Sequence, residues 1–305
     1  MSGTRPVAVV GLGAMGAPMV RVLLRAGYPV TVVPHRSRAV AEELAAEGAR
    51  VAETVTDAAA DAEVIIALVP ALSELAEVAE GLVAAEAAAG RVLLNMSTVG
   101  PIGISGLATR LAAHGIHVVD APVSGGPVRA ADGTLTIMAS GDDADLDDVA
   151  EVLAAVGENI FRTGPVGTGQ AAKLCNNLLT ATIMVANAEA LTLAAKAGLD
   201  PAQVREIVLA SSGGSTVLDT WVPRNLLRDV YEPGFALKLM YKDVGLGRDL
   251  AREVGVPMPL ANLAHELYGF CTQSPGADQD YSYVSTIFQD AANITVATSE
   301  PRRRP

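Results

Sequence analysis

Val7-Ala8-Val9-Val10-Gly11-Leu12-Gly13-Ala14-Met15-Gly16 decides the fold. Four apolar residues, three of them β-branched, run straight into glycines spaced G-x-G-x-x-G, and an apolar helical pattern follows. Strand, tight turn and helix is the reading these residues support. Each glycine has a physical task. The first permits the turn, the second lets backbone approach a pyrophosphate, and the third lets helix and strand pack closely. The helix start adds unsatisfied N–H groups and a positive dipole end for an anion. Gly11, Leu12, Gly13, Ala14, Met15 and Gly16 are therefore expected to cradle a dinucleotide. An ordinary glycine turn is the alternative, and the strand-before, helix-after context argues against it.

Outward from that loop, β-branched runs alternate with Ala-rich helical stretches through the first 164 residues. Candidate strands are 7–10, 30–33, 63–68, 92–95, 116–120, 135–139 and 159–162. Helical segments at 37–48, 73–89, 101–114 and 142–156 lie between them. That alternation predicts βαβ units and a mainly parallel, doubly wound sheet, an α/β Rossmann-type domain over 1–164. After Gly164-Pro165-Val166-Gly167-Thr168-Gly169 the strand signal ends. Residues 170–197 read as one helix about 42 Å long. Further helices are expected at 217–228, 236–255 and 260–272, making 165–298 an all-α domain. The tail 299–305 reads as disordered.

Composition narrows the function. Half the chain is apolar and 18% is charged, which fits a packed globule, and the net charge of −12 repels nucleic acid and anionic membranes. No nucleic-acid or membrane partner is expected. The two cysteines, Cys175 and Cys271, form no CxxC pair and have no histidine at ligand spacing. They read as structural thiols in a reducing compartment, with no metal site. The start of the chain carries no signal-peptide pattern, so a cytoplasmic location is expected.

The end of the second strand bears on cofactor choice. An NAD site usually places an acid there for the ribose 2′-hydroxyl. Here the strand ends in Pro34-His35-Arg36-Ser37-Arg38. Arg36 can pair with a 2′-phosphate and Ser37 can add a hydroxyl donor, so NADP(H) is favoured over NAD(H). The alternative is a pair of solvated arginines opening a helix.

The chain has four lysines against 18 arginines. Lys173 lies in the first turn of the long helix, where the dipole opposes a cation. Burial and a positive helix end both lower a lysine pKa, as proton transfer near neutral pH requires. Asn177 follows four residues on and shares its face, so its amide can orient a substrate oxygen. A snorkelling surface lysine is the other reading of the same residues.

Three segments together resemble the β-hydroxyacid dehydrogenases, the family of 3-hydroxyisobutyrate dehydrogenase and tartronate semialdehyde reductase. They are the glycine loop, Asp120-Ala121-Pro122-Val123-Ser124-Gly125-Gly126, and Gly167-Thr168-Gly169-Gln170-Ala171-Ala172-Lys173-Leu174-Cys175-Asn176-Asn177. The likeness runs from residue 5 to about 290. It implies hydride exchange between a nicotinamide and a small β-hydroxy acid or its semialdehyde, with Lys173 as general acid/base. It implies that Ser124, Gly125, Gly126, Asn177 and Thr98 contact substrate. Val69, Pro70 and Thr98 would line the cofactor cleft, and Phe235 and Lys242 would approach the nicotinamide side. It also implies that His35, Arg36 and Ser37 match an Asn-Arg-Thr pattern linked to NADP(H), from which His35 departs. A homodimer or homotetramer is implied as well.

Three rivals remain. A 6-phosphogluconate dehydrogenase carries a histidine where Asn176 stands, and has a longer C-terminal region. An imine reductase normally replaces the lysine. A catalytically silent dinucleotide-binding scaffold loses it. Lys173 argues against the last two.

Overall fold

The computed structural model describes residues 4–34, 38–85, 89–273 and 275–298. Val7–Val10 (β1), Val30–Val33 (β2), Val64–Ala67 and Val92–Asn95 are each buried along their whole length. Continuous apolar strands of this kind form parallel sheets covered on both faces. The full strand set adds Arg50–Val51 as β3, so Val64–Ala67 is β4 and Val92–Asn95 is β5. His117–Asp120 (β6), Val123–Ser124 (β7), Leu135–Ser140 (β8) and Gly157–Gly164 (β9) complete it.

The sheet order is β3-β2-β1-β4-β5-β6-β8-β7, with β9 on β8. β1 pairs in parallel with both β2 and β4, so Val7 lies beside Val30 and Val64. The order reverses at β1, which creates the switch point where doubly wound sheets bind ligands. Within this sheet, among the described residues, antiparallel pairing enters at β8, against β6 and β7.

Helices of the first half are Gly16–Arg25 (α1), Arg38–Ala46 (α2), Val55–Asp61 (α3), Leu72–Val83 (α4), Pro101–Ala112 (α5), Gly126–Asp132 (α6), Asp143–Asp148 (α7) and Ala150–Val156 (α8). Alternate residues of each strand feed opposite cores. Val7, Val9 and Val32 pack with Met19 and Leu23 of α1, while Ala8, Ile65 and Leu93 pack with Leu75 and Leu82 of α4. Each such aliphatic side chain stabilises the fold by roughly 1.5–3 kcal/mol.

The chain divides into two compact units, Met1–Lys173 and Leu174–Pro305. Thr168–Lys196 (α9) runs through the division. The second unit adds Pro201–Leu209 (α10), Leu237–Glu253 (α11), Pro259–Thr272 (α12) and Thr286–Ala292 (α13), and no described strand lies beyond Gly164. Tyr268, Tyr281 and Met240 are fully buried in its core. Among the described helices α9 alone is long and apolar enough to cross a membrane by composition, a test that core helices also pass. Asn177 and Asn187 on it are buried.

Three local expectations differ. The two-residue strands β3 and β7 were not anticipated, being too short to show a period. The helix expected at 142–156 is two pieces meeting at Val149, whose backbone (φ −98°, ψ 3°) leaves the helical region. The helix expected at 217–228 is a π turn, Val217–Trp221, and a 3-10 turn, Leu226–Arg228. Pro223 separates them, since proline lacks the N–H that a continuous helix needs. The tail at 299–305 lies outside the described residues, as do His35, Arg36 and Ser37.

Candidate active site

Parallel pairing of β1, β4, β5 and β6 brings the ends of all four strands to one edge of the sheet. The glycine loop follows β1, Val69 and Pro70 follow β4, Thr98 follows β5, and Ser124, Gly125 and Gly126 lie just past β6. Sequence reasoning named all of these. The topology gathers them.

Within the loop the three glycines do different things. Gly11 has φ +101°, and a Cβ there would lie 2.1 Å from the carbonyl oxygen of Leu68. A Cβ on Gly16 would lie 1.9 Å from the carbonyl oxygen of Gly11. Both positions are closed by backbone. Around Gly13 nothing lies within 4 Å of such a Cβ, so the protein itself does not forbid a side chain there. Bare backbone facing open space at the mouth of a parallel sheet, next to a helix start, suits a pyrophosphate. The residues present therefore fit NAD(P). Leu12 and Met15 pack partly against the sheet core, and Ala14 is exposed.

The loops after β4 and β5 are tied together. The Val69 N–H donates to Ser97 Oγ at 2.7 Å. Ser97 donates in turn to the Ala67 carbonyl at 3.3 Å. Thr98 is half-buried beside this joint, and Pro70 is exposed. Past β6, Gly125 takes φ +138° and Gly126 φ +69°, so the turn after Ser124 relies on glycine. Gly126 and Pro127 open α6, whose first N–H groups have no acceptor within the helix. Arg129, three positions past Gly126, pairs with Glu158 at 3.1 Å.

Lys173 is 9% exposed, so it is not a snorkelling surface lysine. Three positions before it, Gln170 is fully buried and bonds to residues 97, 99, 100 and 120. The turn that carries the amine is thus fastened to the sheet edge where the other first-unit residues gather. Gly169 makes the same point sterically, because a Cβ there would meet the Met138 carbonyl at 2.3 Å.

In the second unit Asn177 and Lys242 share a partner. Asn177 Nδ2 donates to Asp243 Oδ2 at 2.6 Å, and Lys242 Nζ lies 2.8 Å from Asp243 Oδ1. Asn177 Oδ1 also accepts from Asn176 at 3.0 Å. One Nδ2 hydrogen and one carbonyl lone pair of Asn177 remain for other partners. Phe235 belongs to a different group. Its N–H donates to Asp280 at 3.1 Å, and its ring faces Tyr281 with centroids 6.2 Å apart.

Sequence reasoning quoted Asp120 and Gln170 without giving them work, and it assigned nothing to Asn95, Ser97 or Asp243. All are buried, and all hold neighbouring groups in place. Their signal was a polar residue ending an apolar strand, or standing inside a helix where only burial with partners makes it tolerable. Burial pushes the Asp120 carboxyl up to about 6, against the opposing pull of its amide and hydroxyl donors. Among the described residues no three His, Cys, Asp or Glu side chains gather as a metal site would need.

Two family models match, described as the NAD binding domain of 6-phosphogluconate dehydrogenase over residues 6–164 and the NAD-binding of NADP-dependent 3-hydroxyisobutyrate dehydrogenase over residues 167–287. The chain belongs to the β-hydroxyacid dehydrogenase family. An NAD-dependent L-serine dehydrogenase of Pseudomonas aeruginosa is 37% identical over 297 residues, covering 93% of this chain and 98% of that protein. A mitochondrial 3-hydroxyisobutyrate dehydrogenase of Mus musculus is 35% identical, over 93% of this chain and 87% of the relative. The solved Mycobacterium tuberculosis 3-hydroxyisobutyrate dehydrogenase with L-serine superposes at a TM-score of 0.85, with 32% identity, covering 94% and 99% of the two chains. This β-hydroxyacid dehydrogenase is thus an oxidoreductase acting on a CH–OH donor with NAD(P), and the scaffold reading falls.

Proposed function

We propose that the chain oxidises a three- to five-carbon 3-hydroxy acid to its semialdehyde, or reduces the semialdehyde, with Lys173 moving the hydroxyl proton. The observation that carries this reading is a buried lysine on a helix turn fastened to the ends of β5 and β6, at the sheet edge where the glycine loop also lies. Ser124 and the N–H groups of Gly125 and Gly126 hold the substrate carboxylate, an economical use of bare backbone for an anion. Thr98 and the free hydrogen of Asn177 orient the hydroxyl. In oxidation the neutral amine of Lys173 takes the hydroxyl proton as hydride leaves the carbinol carbon, and the C–O bond becomes a carbonyl. In reduction the ammonium returns that proton. Bound NAD(P) supplies the hydride acceptor or donor, and Val69 and Pro70 shape its cleft. Positioning and proton transfer then supply most of the acceleration.

A panel of C3–C5 hydroxy acids assayed with NAD⁺ and NADP⁺ tests the substrate class. Turnover of 3-hydroxy acids should exceed that of their 2-hydroxy isomers by about a hundredfold in kcat/KM, because the isomer puts the reacting carbon one bond from the amine's reach. Equal rates for both classes would sink the proposal.

Cofactor preference divides the observations. Arg36 by its charge and Ser37 by its hydroxyl support NADP(H), whereas the serine dehydrogenase relative is NAD-dependent. We keep NADP(H) as the proposal. Arg36→Ala should then weaken NADP⁺ by about tenfold to a hundredfold, the range of a charge-assisted hydrogen bond, and NAD⁺ by less than about twofold. Equal weakening of both would remove the 2′-phosphate role.

Assembly and location complete the proposal. Leu193, Leu260 and Phe270 each leave at least 70% of their surface exposed on the second unit, which supports a homodimer or homotetramer. Free Cys175 and Cys271 support a reducing, cytoplasmic setting.

A further inference from the structure

Asp120 ends β6 with no exposed surface, yet nothing in the proposed chemistry uses its carboxylate. Its Oδ1 accepts from Gln170 Nε2 at 2.7 Å and from Asn95 Nδ2 at 2.9 Å, and its Oδ2 accepts from Ser140 Oγ at 3.2 Å. Gln170 is equally buried. Its Nε2 also donates to the Ser97 carbonyl at 2.9 Å, while its Oε1 accepts from the N–H groups of Val99 at 2.8 Å and Gly100 at 3.0 Å. The two ends of one amide therefore bind two different kinds of partner, acceptors on one side and backbone donors on the other. Rotating that amide by half a turn would set oxygen against the Asp120 carboxylate and the Ser97 carbonyl, and NH₂ against two N–H groups. A negative charge at Asp120 makes the wrong orientation the most costly.

We propose that Asp120 and Gln170 are positioning residues for proton transfer: the carboxylate fixes the Gln170 amide, and the amide locks the loop carrying Thr98 to the helix turn carrying Lys173. The inference rests on Lys173 being the proton-transfer group. Gln170 and Lys173 stand three apart on one helix, so a shift of the first turn at Gln170 moves the amine with it. The polar groups packed on Asp120 are Asn95 of β5, Ser140 of β8 and Gln170 of α9, with Lys173 the charged side chain on the same turn of helix as Gln170.

Burial gives the pair a cost that a purely structural role does not explain. The folded chain holds the Asp120 proton up to about pH 6, well above the usual carboxylate range, so its contribution to stability is greatest in acid and declines as pH rises to about 6. An asparagine would avoid that loss. It can offer its oxygen to the same amide donors and its NH₂ to Ser140, but it lacks the negative charge that penalises the reversed Gln170 amide.

Asp120→Asn is the test. The variant should fold, and its unfolding temperature relative to the parent should be higher at pH 8 than at pH 4.5. Its kcat should fall about tenfold to a hundredfold, with substrate KM and cofactor Kd within about threefold. In a Lys173→Ala background the same substitution should add no further loss to the residual rate. Should the asparagine variant fail to fold, Ser140→Ala replaces it, with kcat expected to fall about threefold at unchanged KM. Parent-like kcat in the variant that folds overturns the inference, as does a loss that persists undiminished without Lys173. If Lys173→Ala alone leaves kcat unchanged, the Lys173 reading has failed. If it abolishes turnover and Asp120→Asn does nothing, only the positioning role has.

Discussion

Lys173→Ala should lower kcat by about a thousandfold while cofactor affinity stays within about twofold. The size follows from the role, since a positioned proton-transfer group contributes typically 10²–10⁴ in rate. The selectivity follows from the geometry. The glycine loop is built by β1, α1 and the end of β4, and no part of it depends on the amine. Truncation removes a buried side chain with its contacts, so the melting point should fall by several degrees without loss of the folded state. Steady-state rates, a nucleotide fluorescence titration and a melting curve measure the three quantities on one preparation. Added primary amines small enough to enter the vacated space should restore part of the rate. A kcat within tenfold of the parent would end the assignment.

The glycine loop yields the second large effect, as a contrast between two neighbours. Gly16→Val should abolish soluble folded protein or lower its melting point by 10 °C or more, a destabilisation of about 4 kcal/mol or greater. A side chain there would stand 1.9 Å from the Gly11 carbonyl, and backbone cannot swing aside as a side chain can. Gly13→Val should melt within about 2 °C of the parent, because no protein atom lies within 4 Å of its Cβ. Its cost falls on the nucleotide instead, with cofactor Kd raised about a hundredfold or more by blocking the close approach of backbone to phosphate. Calorimetry and cofactor titration separate the two. A Gly13→Val chain that binds cofactor normally would show that the pyrophosphate lies elsewhere.

The first unit was legible in the sequence because its physics is local and periodic. Strands buried on both faces show as unbroken apolar runs, and the glycine turn is dictated by spacing. The long helix was equally plain, expected at 170–197 and found at Thr168–Lys196. Short or broken elements were not. β3 and β7 have two residues each, and Pro223 interrupts an apolar pattern that otherwise reads as helix. The buried polar groups were the other blind spot. Asp120 bonds with Gln170 across 50 positions of chain and Asn177 with Asp243 across 66, and no windowed pattern connects such distances. Sequence singled out Lys173, which proves to be buried. It did not show what holds it.

β1 comes first in this sequence and lies inside the sheet, third from the β3 edge. β1 needs β2 on one side and β4 on the other, so Val7 waits for Val64 to be made. At about 5–20 residues per second that delay is roughly 3–11 s. Gly11 likewise lacks its packing partner until Leu68 has emerged. The nucleotide cradle, though it comes first in this sequence, therefore closes only after the fourth strand has been made, and the coenzyme can reward only a sheet already zipped on both flanks.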